Sequence, residues 1–294
     1  MRRDRLSHGA AWAPEGRVDD GNRTTGAYGI NLTGAVPRSD SLAAGASGWP
    51  SVRIASHRRR PPGSRTFVDD DAALLRLGDG GEVSMDRVPL SAAFTTPTDL
   101  AEDRFIHPYL AAVGAVTGHW LGREPLHGGA VVVGGGAWGV IGPNEVGKST
   151  LLAALALSGH TVLADDLLVI EGLTAFAGPR CVDLRPASAV QLQIGDAPAV
   201  RFGQRRRLAL ARADPAAPLQ GWVFLAWGDR IEAARAPPDE RLTRLMRCRA
   251  VGRTPRDQTH LLELAQLPGW VLTRPPGWDL LGATLARLEA LTAG

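Results

Sequence analysis

The stretch "GVIGPNEVGKST", residues 139–150, decides how the rest of this chain is read. It contains Lys148, the only lysine among 294 residues, in a chain that otherwise takes its basic side chains from arginine. Gly142, Gly147, Lys148 and Ser149 meet the pattern G-x-x-x-x-G-K-S. Glycines at those places let the backbone curl until successive N–H groups converge on phosphate oxygens, and the helix that follows adds its positive end. The lysine then supplies a point charge between the β- and γ-phosphates, and the serine offers a hydroxyl to Mg²⁺. The loop formed by Gly142, Pro143, Asn144, Glu145, Val146, Gly147, Lys148, Ser149 and Thr150 is therefore expected to cradle a nucleoside triphosphate.

Working outward, the loop has the neighbours it needs. Upstream, "GAVVV" and "AWGVIG" are nearly continuous apolar runs joined through "GGG", the pattern of strands buried on both faces. Downstream, "KSTLLAALALSG" reads as a helix ending at Gly159, followed by "HTVLADD" and "LLVIEG" as strands. Strand, glycine loop, helix, strand is the phosphate-binding layout of an α/β fold. Asp165 and Asp166 fall 17 and 18 residues after Lys148, leaving room for one short helix and one strand. They are expected at the carboxyl end of a strand beside the loop's own strand, where ligands bind in open α/β sheets. Side chains alternate along a strand, so one aspartate would face a metal ion and the other an incoming hydroxyl. Adjacent carboxylates raise each other's pKa, and cations would compensate. A helix cap or a turn pair is the plainer alternative.

The single lysine also excludes functions. No Asn-Lys-x-Asp guanine-reading motif can exist without a second lysine, so ATP is the expected nucleotide. A eukaryotic-type protein kinase is excluded because its lysine lies on a strand. Taken alone, "GPNEVGKST" resembles the Walker A loop of transporter-type (ABC) ATPases. Those carry a second acidic motif far downstream, after a Leu-Ser-Gly-Gly-Gln-like signature, whereas this chain has only "LSGH" at 157–160. With 44% hydrophobic and 21% charged residues the chain reads as globular. Its net charge of +3 is too mild to argue for nucleic acid, and aromatics are not interleaved with the arginines. Two cysteines, Cys181 and Cys248, make neither a disulfide framework nor a metal site. The most apolar window, "GGAVVVGGGAWGVIG", is too short and glycine-interrupted to span a bilayer. The opening residues lack the apolar centre of a signal peptide. A cytoplasmic protein with no membrane and no nucleic-acid partner is the expectation.

"LHGGAVVV" and "GVIGPNEVGKSTLLAALALSGHTVLADDLLVI" together resemble the catalytic core of HPr kinase/phosphorylase, a bacterial serine kinase family. Its P-loop fold is shared with phosphoenolpyruvate carboxykinase. The likeness is strongest to the HPr-kinase-like proteins found near peptide-modification gene clusters, including lasso-peptide kinases. Its specific part covers about 125 to 172, and His127 precedes Lys148 by 21 residues, which matches the family spacing. The resemblance implies Asp166 as the base for a substrate serine, with Asp165 and Ser149 holding Mg²⁺. It also implies His127 close to the transferred phosphoryl, and self-association. One departure is Ala175, where the family has a metal-binding glutamate, so Glu171 or Asp183 would move in. Another is the segment needed for dephosphorylation, which is hard to recognise here; a kinase without phosphorylase activity is expected.

The remaining chain divides at three places. Residues 1–25 read as a disordered extension, 26–106 as a small β-rich module, and 107–294 as the HPr-kinase-like P-loop domain. The module contains the strand-like pieces "AYGINLT", "SVRIAS", "RTFV", "AALLRL" and "EVSMDRV". The third part opens on a helical pattern, "HPYLAAVGAVTGHWLG", and closes on three more. Arg180 and Arg185 are candidates for the γ-phosphate or an acidic peptide, while the run 205–207 reads as a solvated strand edge. The expected function is an ATP-dependent kinase acting on a serine of a protein or peptide acceptor. A stand-alone ABC-like ATPase and a non-catalytic nucleotide sensor are the alternatives.

Overall fold

In the computed structural model, residues 24–63, 65–252 and 257–292 are described; all but the last two residues of the expected 1–25 extension lie outside them. The first strands are β1 (Thr25–Ala27), β2 (Ile30–Gly34), β3 (Ala43–Ala44) and β4 (Ser51–Arg58). They are followed by β5 (Phe67–Val68), β6 (Ala72–Arg76), β7 (Glu82–Asp86) and β8 (Ser91–Thr96). These form one sheet in the order β3-β1-β2-β4-β8-β7-β6-β5. The piece "AYGINLT" is split by a turn at Tyr28 and Gly29, whose φ angles of 57° and 74° are the left-handed values a tight hairpin needs. In β4 the alternation sends Val52 and Ile54 inward and leaves Ser51 and Arg53 in water.

The chain crosses to a second sheet through α1 (Glu102–Arg104), a π-helical turn over Phe105–Leu110 and α2 (Ala111–Trp120). Next come β9 (Glu124–Leu126), β10 (Gly128–Val133), β11 (Gly136–Ile141), α3 (Lys148–Leu157) and β12 (Thr161–Ala164). A hairpin of β13 (Leu168–Glu171) and β14 (Thr174–Phe176) follows. A small separate sheet, with α4 (Pro186–Gln191) inside its connection, pairs β15 (Cys181–Leu184) and β16 (Ala199–Val200) with β17 (Arg205–Ala209). The chain continues with β18 (Ala216–Trp227), β19 (Glu232–Arg235), α5 (Pro238–Arg247), α6 (Gln258–Gln266), β20 (Gly269–Arg274) and α7 (Leu281–Thr292). The second sheet runs β12-β10-β11-β18-β14-β13-β9, with β20 beside β18 and β19 beside β20. The protein is thus a mixed α/β structure with several sheets.

One expectation about this sheet is corrected. β12 does not lie beside β11; β10 pairs antiparallel with both and separates them. Gly134 and Gly135, with φ of 60° and 81°, turn β10 straight back into β11. That hairpin fills the neighbouring place, so α3 must carry the chain across one strand before β12 can pair.

One apolar cluster joins the first sheet to elements that follow it. Tyr28, Ile54 and Phe94 from the first sheet share a cluster with Phe105, Val116, Trp120 and Val169. Arg123 donates to the Gly29 carbonyl at 2.9 Å and lies over Phe176. Residues 105–120 therefore bury apolar surface against the first sheet as well as the second.

Candidate functional site

Strand direction brings the site together. β18 pairs parallel with β11 and with β20, and β10 runs against both β11 and β12. The carboxyl ends of β12, β11, β18 and β20 therefore share one edge with the amino end of β10. Along that edge lie Asp165–Asp166, then His127, then the Gly142–Thr150 loop, then Trp227, then Arg274. A cavity of about 570 Å³ runs over all of them.

The loop is shaped by its backbone. Glu145 and Gly147 hold φ of 66° and 89°, and a Cβ on Gly147 would run into the Arg274 guanidinium. Arg274 Nη2 donates to the Val146 carbonyl at 3.1 Å, and its guanidinium lies 4.3 Å from the centre of the Trp227 ring. Lys148 Nζ donates to the carbonyls of Gly142 and Pro143 at 2.8 and 3.0 Å. Burial lowers the Lys148 pKa, while Cys248, Asp165 and Asp166 work against that shift. Pro143, Asn144 and Glu145 form the exposed crest, where Glu145 ion-pairs with Arg185. Thr150 Oγ1 donates to Ser188 Oγ at 3.3 Å, tying α3 to α4.

The two aspartates behave differently, for a reason other than strand alternation. β12 ends at Ala164, and both acids lie in the bend beyond it. Asp166 has a left-handed φ of 71°, uncommon for a residue with a Cβ. Asp165 is 5% exposed and accepts from Ser149 Oγ at 3.0 Å. Burial first, and Asp166 second, push its pKa up to about 7. Asp166 lies between two imidazoles, with Nδ1 of His127 3.6 Å from one oxygen and Nδ1 of His107 3.7 Å from the other. His107 is 1% exposed, and its Nδ1 has no hydrogen-bond partner. Burial drives its pKa down to about 4, so it is neutral near pH 7 despite the pull of Asp166.

Ser149 and Asp165 suit a magnesium ion. Mg²⁺ usually takes one or two carboxylates and completes its shell with water and substrate phosphate oxygens. A hydroxyl and a carboxylate in contact at the head of α3 provide that minimal set. Among the described residues no cluster of three or more His, Cys, Asp or Glu side chains is arranged as a metal site. Neither expected substitute for the missing glutamate is free. Glu171 pairs with Arg123 at 3.2 Å. Asp183 borders the cavity but is held by Arg207 Nε at 2.8 Å and Arg201 Nε at 3.0 Å. Burial would raise the Asp183 pKa, yet Arg207 and Arg201 hold it below the usual carboxylate value.

The arginines also sort differently from the expectation. Arg185 borders the cavity, but Arg180 points elsewhere and donates to the carbonyls of Asp40 and Leu42. The run 205–207 is not a solvated edge: Arg207 is buried on Asp183, and Arg205 lines the cavity. Sequence reasoning missed His107, Arg205, Trp227, Arg274 and Trp278. A signal existed for two of them, since Trp227 and Arg274 close the apolar runs "GWVFLAW" and "GWVLTR". Residues at the carboxyl ends of such strands are where an α/β sheet meets its ligands.

The chain matches no protein-family model and no curated protein. Among solved structures it is similar to the HPr(Ser) kinase/phosphatase from Coxiella burnetii, with a TM-score of 0.32 and 14% sequence identity. The likeness covers 57% of this chain and 91% of that one. At that level it decides nothing about the chemistry, which rests on the geometry above. Among the described residues no helix is long and apolar enough to cross a membrane.

Proposed function

We propose that this protein is an ATP-dependent kinase with a P-loop core of the HPr kinase type, which transfers the γ-phosphate to a serine hydroxyl on a protein or peptide acceptor. The observation that carries the reading is the Ser149–Asp165 contact of 3.0 Å, with Asp166 beside it and within 3.6 Å of His127. A hydroxyl and carboxylate for a cation, a second carboxylate for a proton, and a lysine for phosphate oxygens thereby meet at one helix terminus. Phosphoryl transfer needs alignment and charge stabilisation, with a modest base, and little covalent help.

In this reading the loop N–H groups and Lys148 take the β- and γ-phosphates, the ammonium exchanging its two carbonyl partners for phosphate oxygens. Ser149 and Asp165 hold Mg²⁺, which neutralises charge on those oxygens when bound. The serine oxygen forms a bond to the γ-phosphorus as the bond to the bridging oxygen breaks, releasing ADP. Asp166 accepts the serine proton, and His127 keeps Asp166 oriented. Arg185 and Arg205 offer positive charge on the side from which an acceptor would enter. A cytoplasmic setting supplies the ATP and Mg²⁺.

The test is transfer from γ-labelled ATP with Mg²⁺ to candidate acceptor peptides, compared for the native protein and Asp166→Asn. Labelled phosphoserine that disappears in the variant, while ATP binding persists, supports the kinase. Rapid acceptor-independent hydrolysis would point instead to an ATPase, and binding with no turnover to a sensor.

A further inference from the structure

The acids dictate which way a triphosphate must lie. Asp165, Asp166 and His127 close the cavity on the β12–β10 side of the loop, so a terminal phosphate faces that side. A triphosphate extended along the loop then carries its α-phosphate and nucleoside toward the opposite side, over the ends of β18 and β20. That side is built from different chemistry. Trp227, the last residue of β18, is 45% exposed, and Trp278, between β20 and α7, is 40% exposed. Both border the cavity, together with Pro276 and Leu281. Large rings left half in water beside a polar cleft are a feature that asks for a ligand.

Arg274 links this wall to the phosphate loop. Its guanidinium lies over Trp227 at 4.3 Å while its Nη2 holds the Val146 carbonyl at 3.1 Å. The position of the ring is therefore coupled to the position of the loop. Exposed aromatic faces are the groups on which nucleobases stack. The cavity, about 570 Å³, also has the size of sites that enclose small molecules.

We infer that Trp227 and Trp278 form the nucleobase platform of the site, with the buried Arg274 bracing Trp227, and take a purine ring by stacking at the far end of the cavity from the acids. The inference rests on the nucleotide reading proposed above and adds to it the end of the ligand that the loop motif leaves undefined. A platform of faces discriminates weakly between purines, because every base presents a π-face. ATP and GTP should accordingly bind with similar affinity.

Calorimetric titrations with ATP and with inorganic tripolyphosphate, both with Mg²⁺, test this on the native protein, Trp278→Ala and Trp278→Phe. Native protein should bind both ligands, ATP more tightly. Trp278→Ala should weaken ATP by roughly tenfold, within the range that base–aromatic stacking supplies, and leave tripolyphosphate unchanged. Trp278→Phe, which restores a ring, should recover most of the loss. Equal affinities of native protein for ATP and tripolyphosphate, or an unchanged ATP affinity in Trp278→Ala, overturn the platform and leave the phosphate cradle standing. Weakened acceptor binding with unchanged ATP binding would assign the wall to the acceptor and also overturn the inference. If native protein binds neither ligand, the nucleotide reading fails and takes the platform with it.

Discussion

On one flank of the Gly142–Thr150 loop the polar groups are buried and crowded; on the other, two tryptophan rings stand half open over a buried guanidinium. Asp165 is sealed against Ser149, Asp166 is held in a left-handed conformation, and His107 sits neutral in the core. Across the loop, Trp227 and Trp278 remain accessible, and only Arg274 ties that wall to the backbone. The difference is one of pre-organisation. The acidic flank holds a buried carboxyl and a left-handed aspartate, and backbone strain of this kind persists where surrounding structure over-determines it. The aromatic flank holds nothing strained and has free surface to cover.

The comparison breaks most visibly at Asp166. On the kinase reading, Asp166→Asn should lower the transfer rate by about 10² to 10⁴ while ATP affinity stays within about threefold. A rate within a factor of ten of the native value would remove the base from this flank.

A second effect concerns Asp165 and pH. Its ordinary value of 3.8 is raised to about 7, so the protonated form is the one the unliganded fold prefers. The associated stability is complete below about pH 4 and is lost as pH rises through about 7, at roughly 1.4 kcal/mol per unit crossed. Urea midpoints of native protein should therefore fall from pH 5 to pH 8 relative to those of Asp165→Asn. Parallel midpoints across that window would show that burial of this acid costs nothing.

Between the flanks, Asp183 binds Arg201 and Arg207 on the wall of the same cavity. Asp183→Ala removes the nearest carboxylate from the buried Arg207 guanidinium, leaving it Glu102 at 3.6 Å and the Asp103 carbonyl, and should cost about 3 kcal/mol of stability, read by denaturant unfolding. A loss below about 1 kcal/mol would mean that water reaches Arg207. The smallest effect belongs to the crest. Glu145 pairs with Arg185 in full solvent, so Glu145→Gln should leave the melting temperature unchanged. A clear drop would reveal that the pair shapes the loop.

Different parts of this site were legible to different degrees. The loop was readable because its glycines, lysine and serine are consecutive and the following helix is local. The acidic pair was readable from its distance along the chain, but strand alternation does not explain why its two members face different partners. Alternation applies within a strand, and these two residues lie past its end, where Asp165 meets Ser149 and Asp166 meets His127 and His107. Arg180 and Arg185 looked alike five positions apart, yet one ties down the Asp40–Leu42 carbonyls and the other reaches the cavity.

By itself the sequence determined the strand–loop–helix unit, the single ammonium at its centre and two carboxylates one helix and one strand later. These follow from short-range geometry, in which residue spacing maps directly onto distance. Only the tertiary structure decided that β10 lies between β11 and β12, that His107 reaches Asp166, and that Trp227 and Arg274 stand on the far side of the loop. Apolar strands carry no label for their neighbours. Sheet order and direction are settled when the whole core closes, and that order brings residues from distant parts of the chain to one edge.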